Sequence, residues 1–389
     1  MCIYFFELPK TGHNISGGEN CLLENIKYFS KKYRCIIITT DLAEKIFKER
    51  LGGNLKNVEY RTISTSDKEG NLNIFFSYVL RTVKAIFLVS RIKLNNQDVL
   101  ICNSDFFPNS IPFFIFATTK KSVKIFYWWR VVAPSIFKGF EGQYTGRYQI
   151  PKINVVHYKI NQLLYILLTK KKGIIITHAP AYYDYLSNKF AKNQIRVIKP
   201  YGGHEKVVFN CKEKIIDIIW MARFQKLKGL DNFINIVKKI QKDIPNIKVV
   251  ILGSGNKKEI NKLNEAILKN GLSKNIKCKG FVFGQQKSDF LSQSKIFAMT
   301  SYFESYGQVI VESMAHGLPI VSYDLPTFTV FSRGIIKVPI LDDDSFSKEI
   351  IKLLSDKEKL QKFSEDAKEF SSGFSWDKTN SAIESIINC

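Results

Sequence analysis

The chain has 389 residues, 45% of them hydrophobic, and a formal net charge of +23 at pH 7, so it is long enough for two domains with separate cores. Its apolar runs are shorter than the roughly 18 residues of a membrane-spanning helix, and its seven scattered cysteines include no C-x-x-C pair, which favours reduced thiols over a disulfide framework or a metal site. The charge predicts an anionic partner: nucleotide phosphates, nucleic acid or an anionic membrane surface.

The first half of the chain alternates buried strands with helices. Met1 begins a strand rather than a signal peptide, because no basic region followed by a long apolar one is present. Six apolar runs predict strands: Cys2–Leu8, Cys35–Thr40, Val58–Ile63, Val99–Asn103, Val123–Tyr127 and Gly173–Thr177. Buried strands separated by helices indicate a parallel sheet with helices on both faces.

The loop between the first strand and the first predicted helix, Glu19–Lys31, carries Gly17 and Gly18. Glycines in this position let the backbone approach a ligand, and the helix start offers free N–H groups that favour anions. We therefore predict that both glycines line a ligand cleft. His13 lies in the same loop and has two interpretations, a ligand contact or a solvated loop histidine.

Three stretches combine apolar residues with lysine or arginine: Ile74–Lys93, Ile111–Ala117 with the following Lys120 and Lys121, and Leu163–Lys172. Each fits a core helix with a solvated basic stripe, and the first also fits an acceptor channel. Each equally fits a helix that lies on an anionic membrane. Because the pattern occurs three times in one half, we predict peripheral contact with such a membrane.

The run Tyr127-Trp128-Trp129-Arg130 follows the fifth predicted strand, and the carboxyl ends of parallel strands are where ligands bind. We predict that Trp128, Trp129 and Arg130 lie at the edge of the ligand crevice. The next segment, 131–151, is rich in Gly, Tyr and Phe. We predict a loop over the cleft, which either stacks on a ligand or caps the sheet.

The second half begins near residues 199–203, after a short strand at Arg196–Ile198. Its first long strand, Ile215–Trp220, is followed by Arg223 and Lys228 just before a predicted helix. Two cations at the carboxyl end of a strand are placed to stabilise the negative charge of a diphosphate. With these cations present, the site needs no divalent metal ion.

The strand Val249–Leu252 runs into Gly253-Ser254-Gly255, which is half of a dinucleotide-binding fingerprint. The third glycine and a suitable acidic partner are missing. We predict instead that Gly253 shapes the floor of a ligand site.

Two glutamates mark the most informative stretch. Glu304 falls in the loop after a predicted strand, 295–300, and Glu312 lies eight positions later, about two helical turns on. The residues between them lead into a helix whose free N–H groups favour phosphate. Carboxylates around an anion site suit a ligand with hydroxyl-bearing ends and an anionic middle, such as a nucleotide sugar.

This stretch resembles the E-x7-E motif of retaining glycosyltransferases of family four, which have the GT-B fold. The following HGLPIVS resembles the family's A-x-G-x-P-V-V-x, and the run 374–376 resembles the F-S-W before its last helix. Arg223 and Lys228 match G-R-x-x-x-x-K-G, with Ala222 in place of the first glycine. The family's histidine near the reaction centre is absent, and Trp128 or Trp129 stands there.

The resemblance implies a role for each matching residue. Glu304 orients the donor sugar, Glu312 holds the ribose, and Arg223 and Lys228 hold the diphosphate; we count Glu304, Arg223 and Lys228 as catalytic. The other predicted donor contacts are Gly17, Gly18, Gly253, Phe281, Val282, Ser305, Tyr306 and Gly307. The predicted acceptor contacts are His13, Trp128, Trp129 and Arg130.

We therefore predict an α/β protein of the GT-B type, with two doubly wound Rossmann-like domains that face a central cleft. Residues 1–200 bind the acceptor, 201–372 bind the donor, and the helix within 373–389 packs back on the first domain. The predicted reaction, without cofactor or metal, moves a hexose from a nucleoside diphosphate sugar, such as a UDP-sugar, to a glycan or lipid-linked acceptor with retention.

This activity serves cell-surface polysaccharide or glycolipid synthesis, in the cytoplasm or at the inner face of the cell membrane, without a nucleic-acid partner. Two alternatives stay open. One is a catalytically inert GT-B scaffold that partners another glycosyltransferase, which the absent histidine favours. The other is a nucleic-acid-binding protein, although no binding module for nucleic acid is recognisable.

Overall fold

The computed structural model describes residues 1–9, 15–65, 74–119, 123–145, 153–170, 172–204 and 213–389. The chain divides into two compact units. The first comprises Met1–Ala133, Ile153–Tyr201 and Trp376–Cys389, and the second comprises Pro134–Lys152 and Gly202–Ser375. The segment Pro134–Lys152 therefore belongs with the second unit, although it lies in the first half of the sequence.

The first unit contains a sheet of seven strands: β1 (Cys2–Glu7), β2 (Arg34–Thr40), β3 (Val58–Ile63), β4 (Val99–Cys102), β5 (Lys124–Trp129), β6 (Ile174–Thr177) and β7 (Ile195–Val197). Neighbouring strands are parallel and follow the order β3-β2-β1-β4-β5-β6-β7. The winding direction therefore reverses between β1 and β4, which are hydrogen-bonded neighbours.

The second unit contains six strands: β8 (Ile216–Met221), β9 (Val249–Leu252), β10 (Ile276–Gly280), β11 (Ser294–Met299), β12 (Ile320–Tyr323) and β13 (Ile335–Val338). They are also parallel, in the order β10-β9-β8-β11-β12-β13. Here the reversal falls between β8 and β11. The two sheets confirm the predicted doubly wound α/β class.

Fourteen α-helices lie between or after the strands within the described residues: α1 (Gly17–Phe29), α2 (Asp41–Arg50), α3 (Ile74–Ser90), α4 (Phe107–Thr118), α5 (Gly139–Thr145), α6 (Ile153–Thr169), α7 (Tyr183–Ser187), α8 (Leu230–Asp243), α9 (Lys257–Lys269), α10 (Gly284–Ser292), α11 (Gln308–Ala315), α12 (Asp343–Ser355), α13 (Lys357–Ser371) and α14 (Trp376–Asn388). Of these, α5 and α8–α13 lie in the second unit.

Helix α1 begins two residues earlier than the sequence pattern predicted. Ser16 caps it: the Ser16 hydroxyl accepts from the Glu19 N–H at 3.3 Å, and the Glu19 carboxylate accepts from the Ser16 N–H at 2.6 Å. This reciprocal capping box satisfies two N–H groups at the helix start. Gly17 and Gly18 therefore form the first turn of α1 and are not loop residues.

The expectation that Trp128 and Trp129 lie beyond the fifth strand is wrong. They are the last two residues of β5, and each is 1% exposed. Trp129 packs against Tyr165, with 5.7 Å between ring centroids. Aromatic residues favour strands and bury large areas, so the strand continues through both indoles. In this conformation neither ring is open to a ligand.

One of the three basic apolar stretches serves the core. The residues 111–117 lie in α4, where Phe113 and Phe116 are fully buried. Phe113 makes an edge-to-face contact with Phe6, at 5.1 Å between ring centroids. Phe113 and Phe116 are therefore not available to a membrane. Membrane contact of this stretch stays a prediction, and its Lys120 and Lys121 lie outside the described residues.

The last helix returns to the first unit, as predicted. The carboxylate of Glu384 on α14 accepts hydrogen bonds from the hydroxyls of Tyr28 and Tyr33, at 2.7 and 2.9 Å, and from the Lys32 amine at 3.0 Å. Although burial acts in the opposite direction, these donors hold the pKa of Glu384 below its ordinary value. The helix is thereby fixed to α1. Among the described residues, no helix is both long and apolar enough to cross a membrane.

Candidate active site

The candidate site lies where the winding of the second sheet reverses. Since β8 and β11 are neighbours and their connections lead in opposite directions, the loops at their carboxyl ends flank one crevice. Lys228 follows β8 and Glu304 follows β11. The structure brings them together: the Lys228 Nζ atom lies 2.5 Å from Glu304 Oε1, and the two side chains are 17% and 14% exposed.

The two loops are joined by a set of hydrogen bonds around Thr300. Its hydroxyl donates to the carbonyl of Gly229 at 2.9 Å and accepts from the Trp220 indole N–H at 3.1 Å. Gly229 caps α8 with φ +65°, and a Cβ atom there would lie 1.9 Å from the Thr300 carbonyl oxygen. Only glycine permits this approach. The contact of Gly229 with Thr300 thus sets the position of the neighbouring Lys228 against the loop that follows β11.

Arg223 is exposed and stands apart from the Lys228–Glu304 pair. Within the described ranges its guanidinium makes no hydrogen bond or ion pair. Its backbone position is nevertheless fixed: the Phe224 N–H donates to the Ser254 carbonyl at 2.8 Å, and Gly253, at φ +145°, passes so close that a Cβ would lie 1.9 Å from the Ala222 carbonyl oxygen. Gly253 therefore shapes the turn that carries Arg223.

The loop between Glu304 and α11 is held by packing. Gly307 has φ +89° and caps α11, and the Thr327 hydroxyl donates to the Glu304 carbonyl at 3.0 Å. Tyr306 is 4% exposed and packs against Phe331, at 5.6 Å between ring centroids, and burial raises its pKa. Ser305 remains partly exposed. The Tyr306 side chain is therefore not open to a ligand.

Glu312 lies within α11 and forms a second ion pair with Lys287 of α10, at 3.1 Å between Oε2 and Nζ. Its side chain is 16% exposed. The carbonyl of Glu312 is 2.8 Å from Nδ1 of His316, whose Nε2 lies 2.8 Å from the Ser288 hydroxyl. Sequence analysis did not identify Lys287, because the glutamate motif gives no signal for a residue on another helix.

The loop after β10 carries the last two predicted donor contacts of the second unit. The Phe281 side chain is 47% exposed, whereas Val282 is 7% exposed. The Phe281 ring lies 6.1 Å from the ring of Phe283, which is also exposed. Of the two residues, Phe281 offers an open aromatic face that can stack on a base.

Sequence analysis also missed α5, which lies within the predicted loop 131–151. Phe303, the neighbour of Glu304, contacts Phe140 at 5.0 Å and stacks on Tyr144 at 5.7 Å with an interplanar angle of 14°. Helix α5 also packs against the short turn Lys226–Lys228. It therefore supports both loops that carry the Lys228–Glu304 pair.

In the first unit, Arg130 follows β5 and its guanidinium is occupied by internal contacts. It donates to the side chain and carbonyl of Asn103, at 2.5 and 3.0 Å, and to the Tyr201 hydroxyl at 3.2 Å. A Cβ atom on Gly18 would lie 3.2 Å from Arg130. Arg130 and Gly18 are thus neighbours, while Gly17 has open space beside it. His13 lies outside the described residues.

Asp105 follows β4 in the same unit and was not predicted as a site residue. Its carboxylate is 9% exposed and accepts from the Gln162 side-chain amide at 2.8 Å. Burial raises the pKa of Asp105 to about 6, against the opposing effect of that hydrogen bond. This raised pKa predicts that the stability of the first unit depends on pH.

Comparison with known proteins gives one family match and several partial relatives. Residues 204–370 match the family described as glycosyl transferases group 1. The chain is 32% identical over 179 residues to an uncharacterized glycosyltransferase of Methanocaldococcus jannaschii, covering 44% of this chain and 41% of the relative. It is 26% identical over 222 residues to the lipopolysaccharide core biosynthesis glycosyltransferase LpsE of Rhizobium meliloti, covering 55% and 61%. The matches span about half the length of these relatives.

Solved structures match over the whole chain at low identity. HepE of Anabaena, solved in complex with UDP and glucose, aligns with a TM-score of 0.73 and 15% identity, covering 100% of this chain and 99% of that one. The pneumococcal O-GlcNAc transferase GtfA, solved with UDP and GlcNAc, aligns with a TM-score of 0.75 and 14% identity, covering 100% and 98%. These likenesses show that the chain has the GT-B fold.

Proposed function

We propose, from the premise that residues 204–370 belong to the glycosyl transferases group 1, that this chain is a retaining hexosyltransferase of family four. The donor is a nucleoside diphosphate sugar, with uridine as the base. The acceptor is a glycan or a lipid-linked glycan of the cell surface. Two relatives support this choice, since LpsE is named for lipopolysaccharide core synthesis and HepE was solved with UDP and glucose.

The contact between Lys228 and Glu304 carries the proposal. A site for a sugar nucleotide needs a cation that binds the diphosphate and a carboxylate that accepts hydrogen bonds from the sugar hydroxyls. The Lys228–Glu304 pair supplies both within one crevice. Without donor, the amine and the carboxylate neutralise each other and hold their geometry. We propose that the donor exchanges this ion pair for two contacts of its own, the amine on a phosphate oxygen and the carboxylate on the sugar.

Other residues around the Lys228–Glu304 pair extend the proposed donor site towards the diphosphate and towards the ribose and base. Arg223 has no internal partner in the described chain, so its guanidinium is free to bind the diphosphate. The amides of residues 305–307 lead into α11, whose N-terminus favours a phosphate. Glu312 accepts hydrogen bonds from the ribose, while Lys287 keeps its carboxylate in place. Phe281 stacks on the base.

Bond cleavage then places negative charge on the departing diphosphate, which Lys228 and Arg223 stabilise in the transition state. The acceptor hydroxyl attacks the anomeric carbon on the face that the diphosphate leaves, and its proton passes to the leaving phosphate. The configuration is thereby kept without a side-chain nucleophile. That this reaction needs no metal ion stays a prediction.

Release of nucleoside diphosphate tests the proposal. Purified chain is incubated with UDP-glucose, UDP-galactose, UDP-GlcNAc and GDP-mannose, each with and without a bacterial lipid extract, and the products are analysed by mass spectrometry and NMR. We expect UDP release with a uridine donor, a retained anomeric configuration and full activity in EDTA. An inverted product refutes retention, and a requirement for added metal refutes metal independence. Absence of release with every donor favours the inert scaffold.

A further inference from the structure

Two helices of the first unit carry most of the apolar side chains that the protein exposes. Of the sixteen large hydrophobic residues exposed in the described chain, nine lie on α3 and α6. Those on α3 are between 39% and 64% exposed, and those on α6 between 52% and 60%. Such a concentration of exposed apolar side chains on two helices indicates an interaction site.

The exposed residues follow helical spacing. On α3 they include Phe76, Leu80, Val83 and Phe87, which repeat at intervals of four, three and four. Residues at this spacing share one face of a helix. The opposite face of α3 is buried in the unit, with Ala85 and Val89 fully or almost fully covered beside the buried polar residues Ser77, Arg81 and Thr82. The exposed apolar stripe of α3 therefore faces away from the core of the unit.

Helix α6 shows the same arrangement. Ile160, Leu163 and Leu167 are exposed at intervals of three and four, while Tyr165 on the opposite face is fully buried. The two helices approach each other near their first turns, where Phe75 of α3 lies 6.0 Å from His157 of α6 between ring centroids, and α4 packs against both helices. Two helices of one unit therefore present apolar stripes to their surroundings.

The charges around the stripes specify the partner. Helices α3, α4 and α6, which pack side by side, contain no aspartate or glutamate. Arg91 and Lys93 follow α3, Lys170 follows α6, and all three side chains are exposed. Helix α3 leads into β4, and α6 leads into β6 of the same parallel sheet. The carboxyl ends of both helices therefore lie at the end of the sheet where its strands begin. The apolar stripes thus end in a cluster of positive charge.

We propose that the exposed faces of α3 and α6 dock the first unit on an anionic lipid bilayer. The apolar side chains enter the boundary between headgroups and acyl chains, and Arg91, Lys93 and Lys170 contact the phosphates of the headgroups. A second copy of the chain fits this surface less well, because both copies carry a net charge of +23 and repel each other. This inference goes beyond the proposed transfer reaction and does not depend on it.

Vesicle sedimentation of the full chain, without any sugar nucleotide, tests the proposal. We expect at least roughly tenfold tighter binding to vesicles of equal parts phosphatidylcholine and phosphatidylglycerol than to phosphatidylcholine alone, with the difference reduced by salt. The double variant Phe76→Ser/Leu163→Ser is expected to lose binding roughly tenfold. The matched control is Leu268→Ser, because Leu268 is 69% exposed on α9 of the second unit.

A charge variant separates the electrostatic contribution. Arg91→Gln/Lys170→Gln is expected to weaken binding to the anionic vesicles, whereas Lys258→Gln/Lys269→Gln, at two exposed lysines of α9, leaves it within twofold of the unaltered chain. Equal losses in both charge variants mean that net charge alone drives binding and overturn the docking face. Absence of binding by the unaltered chain overturns it as well.

Self-association has to be measured on the same proteins by analytical ultracentrifugation. If the chain forms dimers that Phe76→Ser/Leu163→Ser dissociates, a second copy covers the stripes and the membrane proposal is wrong. A monomer that binds anionic vesicles supports it. Vesicle binding is measured without donor, and UDP release is measured without as well as with lipid extract, so failure of either proposal is recognised independently of the other.

Discussion

The amine of Lys228 lies 2.5 Å from the carboxylate of Glu304, although the two residues are 76 positions apart in the sequence. Each follows a strand that borders the reversal of the second sheet, so the topology places them in one crevice. Both side chains are largely buried, and each is oriented by the other. This pair is the centre of the proposed donor site and gives the first prediction.

Replacing Glu304 by glutamine keeps the size of the side chain and removes its charge. We expect the rate of sugar transfer to fall at least roughly 100-fold, because the amide orients the donor sugar poorly and leaves Lys228 without its counter-charge. Initial rates of UDP release measure the effect, and circular dichroism checks the fold. Glu265→Gln, at an exposed glutamate of α9, is the matched control. Unchanged turnover in Glu304→Gln contradicts the site.

Arg223 gives a prediction of a different kind, because its side chain is exposed and has no partner within the described residues. Arg223→Ala is expected to leave the free energy of unfolding within about 0.5 kcal/mol of the unaltered protein. It is expected to weaken UDP binding by about 1.5–3 kcal/mol, the range of a charge-assisted hydrogen bond. Isothermal titration with UDP measures this, with Lys269→Ala as the control. Equal affinities in the two variants would remove Arg223 from the donor site.

The close approach of Gly229 to Thr300 predicts that an alanine at position 229 destabilises the protein by more than its left-handed backbone alone would cause. Gly229→Ala places a Cβ atom 1.9 Å from a backbone oxygen, whereas Gly271→Ala, at a similar φ of +70°, meets nothing within 4 Å. The Gly271 variant is expected to cost about 1–2 kcal/mol from its left-handed backbone. The Gly229 variant is expected to cost about 1–3 kcal/mol more, because the turn has to move.

Urea unfolding followed by tryptophan fluorescence compares the two glycine variants. UDP affinity is measured in parallel, and we expect it to fall only in Gly229→Ala, since that turn carries Lys228. Equal stabilities would mean that the turn adapts to the added methyl group and that glycine is not needed for the close approach.

The sequence was sufficient to predict the parallel sheets and the loops that carry Lys228 and Glu304, because these depend on local signals. Runs of apolar residues give strands, and Gly253 and Gly307 mark turns in which the backbone has a positive φ. The order of the strands then brings Lys228 to Glu304 without further information.

Other parts depend on contacts between distant residues, and the sequence did not reveal them. Whether Trp128 ends a strand or begins a loop depends on what covers the indole, which no local pattern states. The ion pair of Lys287 with Glu312 joins two helices, and α5 lies against Phe303 only in the folded second unit. His13 lies outside the described residues, and its role stays a prediction.

The contact of α5 with Phe303 predicts that a substitution in α5 lowers kcat without weakening UDP binding. Phe140→Ala removes the edge-to-face contact with Phe303, which is adjacent to Glu304. We expect kcat to fall roughly tenfold, because aromatic pairs contribute about 0.5–1.5 kcal/mol to positioning. UDP affinity is expected to stay within twofold, because the lost contact displaces Glu304, whose proposed partner is the sugar and not UDP.

The control for α5 is Phe137→Ala, because Phe137 precedes the same helix and is 63% exposed. Steady-state kinetics and titration with UDP are compared for both variants. A loss of UDP affinity in Phe140→Ala that equals its loss of kcat would indicate general unfolding of the loops rather than misplacement of Glu304.

The raised pKa of Asp105 predicts how the free energy of unfolding of the first unit depends on pH. Burial raises its pKa from 3.8 to about 6, while the unfolded chain keeps the ordinary value. Between these values the folded state binds more protons than the unfolded state, so its free energy of unfolding falls as pH rises. The loss begins near pH 4 and is complete above pH 6. It amounts to about 3 kcal/mol at neutral pH.

Asp105→Asn removes this loss, because the amide carries no charge and its oxygen still accepts the hydrogen bond from Gln162. We therefore expect the variant to be more stable than the unaltered protein at pH 7, and the difference to vanish as pH falls towards 4. Urea unfolding at pH 4 to 8 measures the difference, so that titrations common to both proteins cancel. Asp184→Asn, at an exposed aspartate of the same unit, is the control. A difference that is constant with pH would show that the Asp105 carboxyl titrates alike in the folded and unfolded chain.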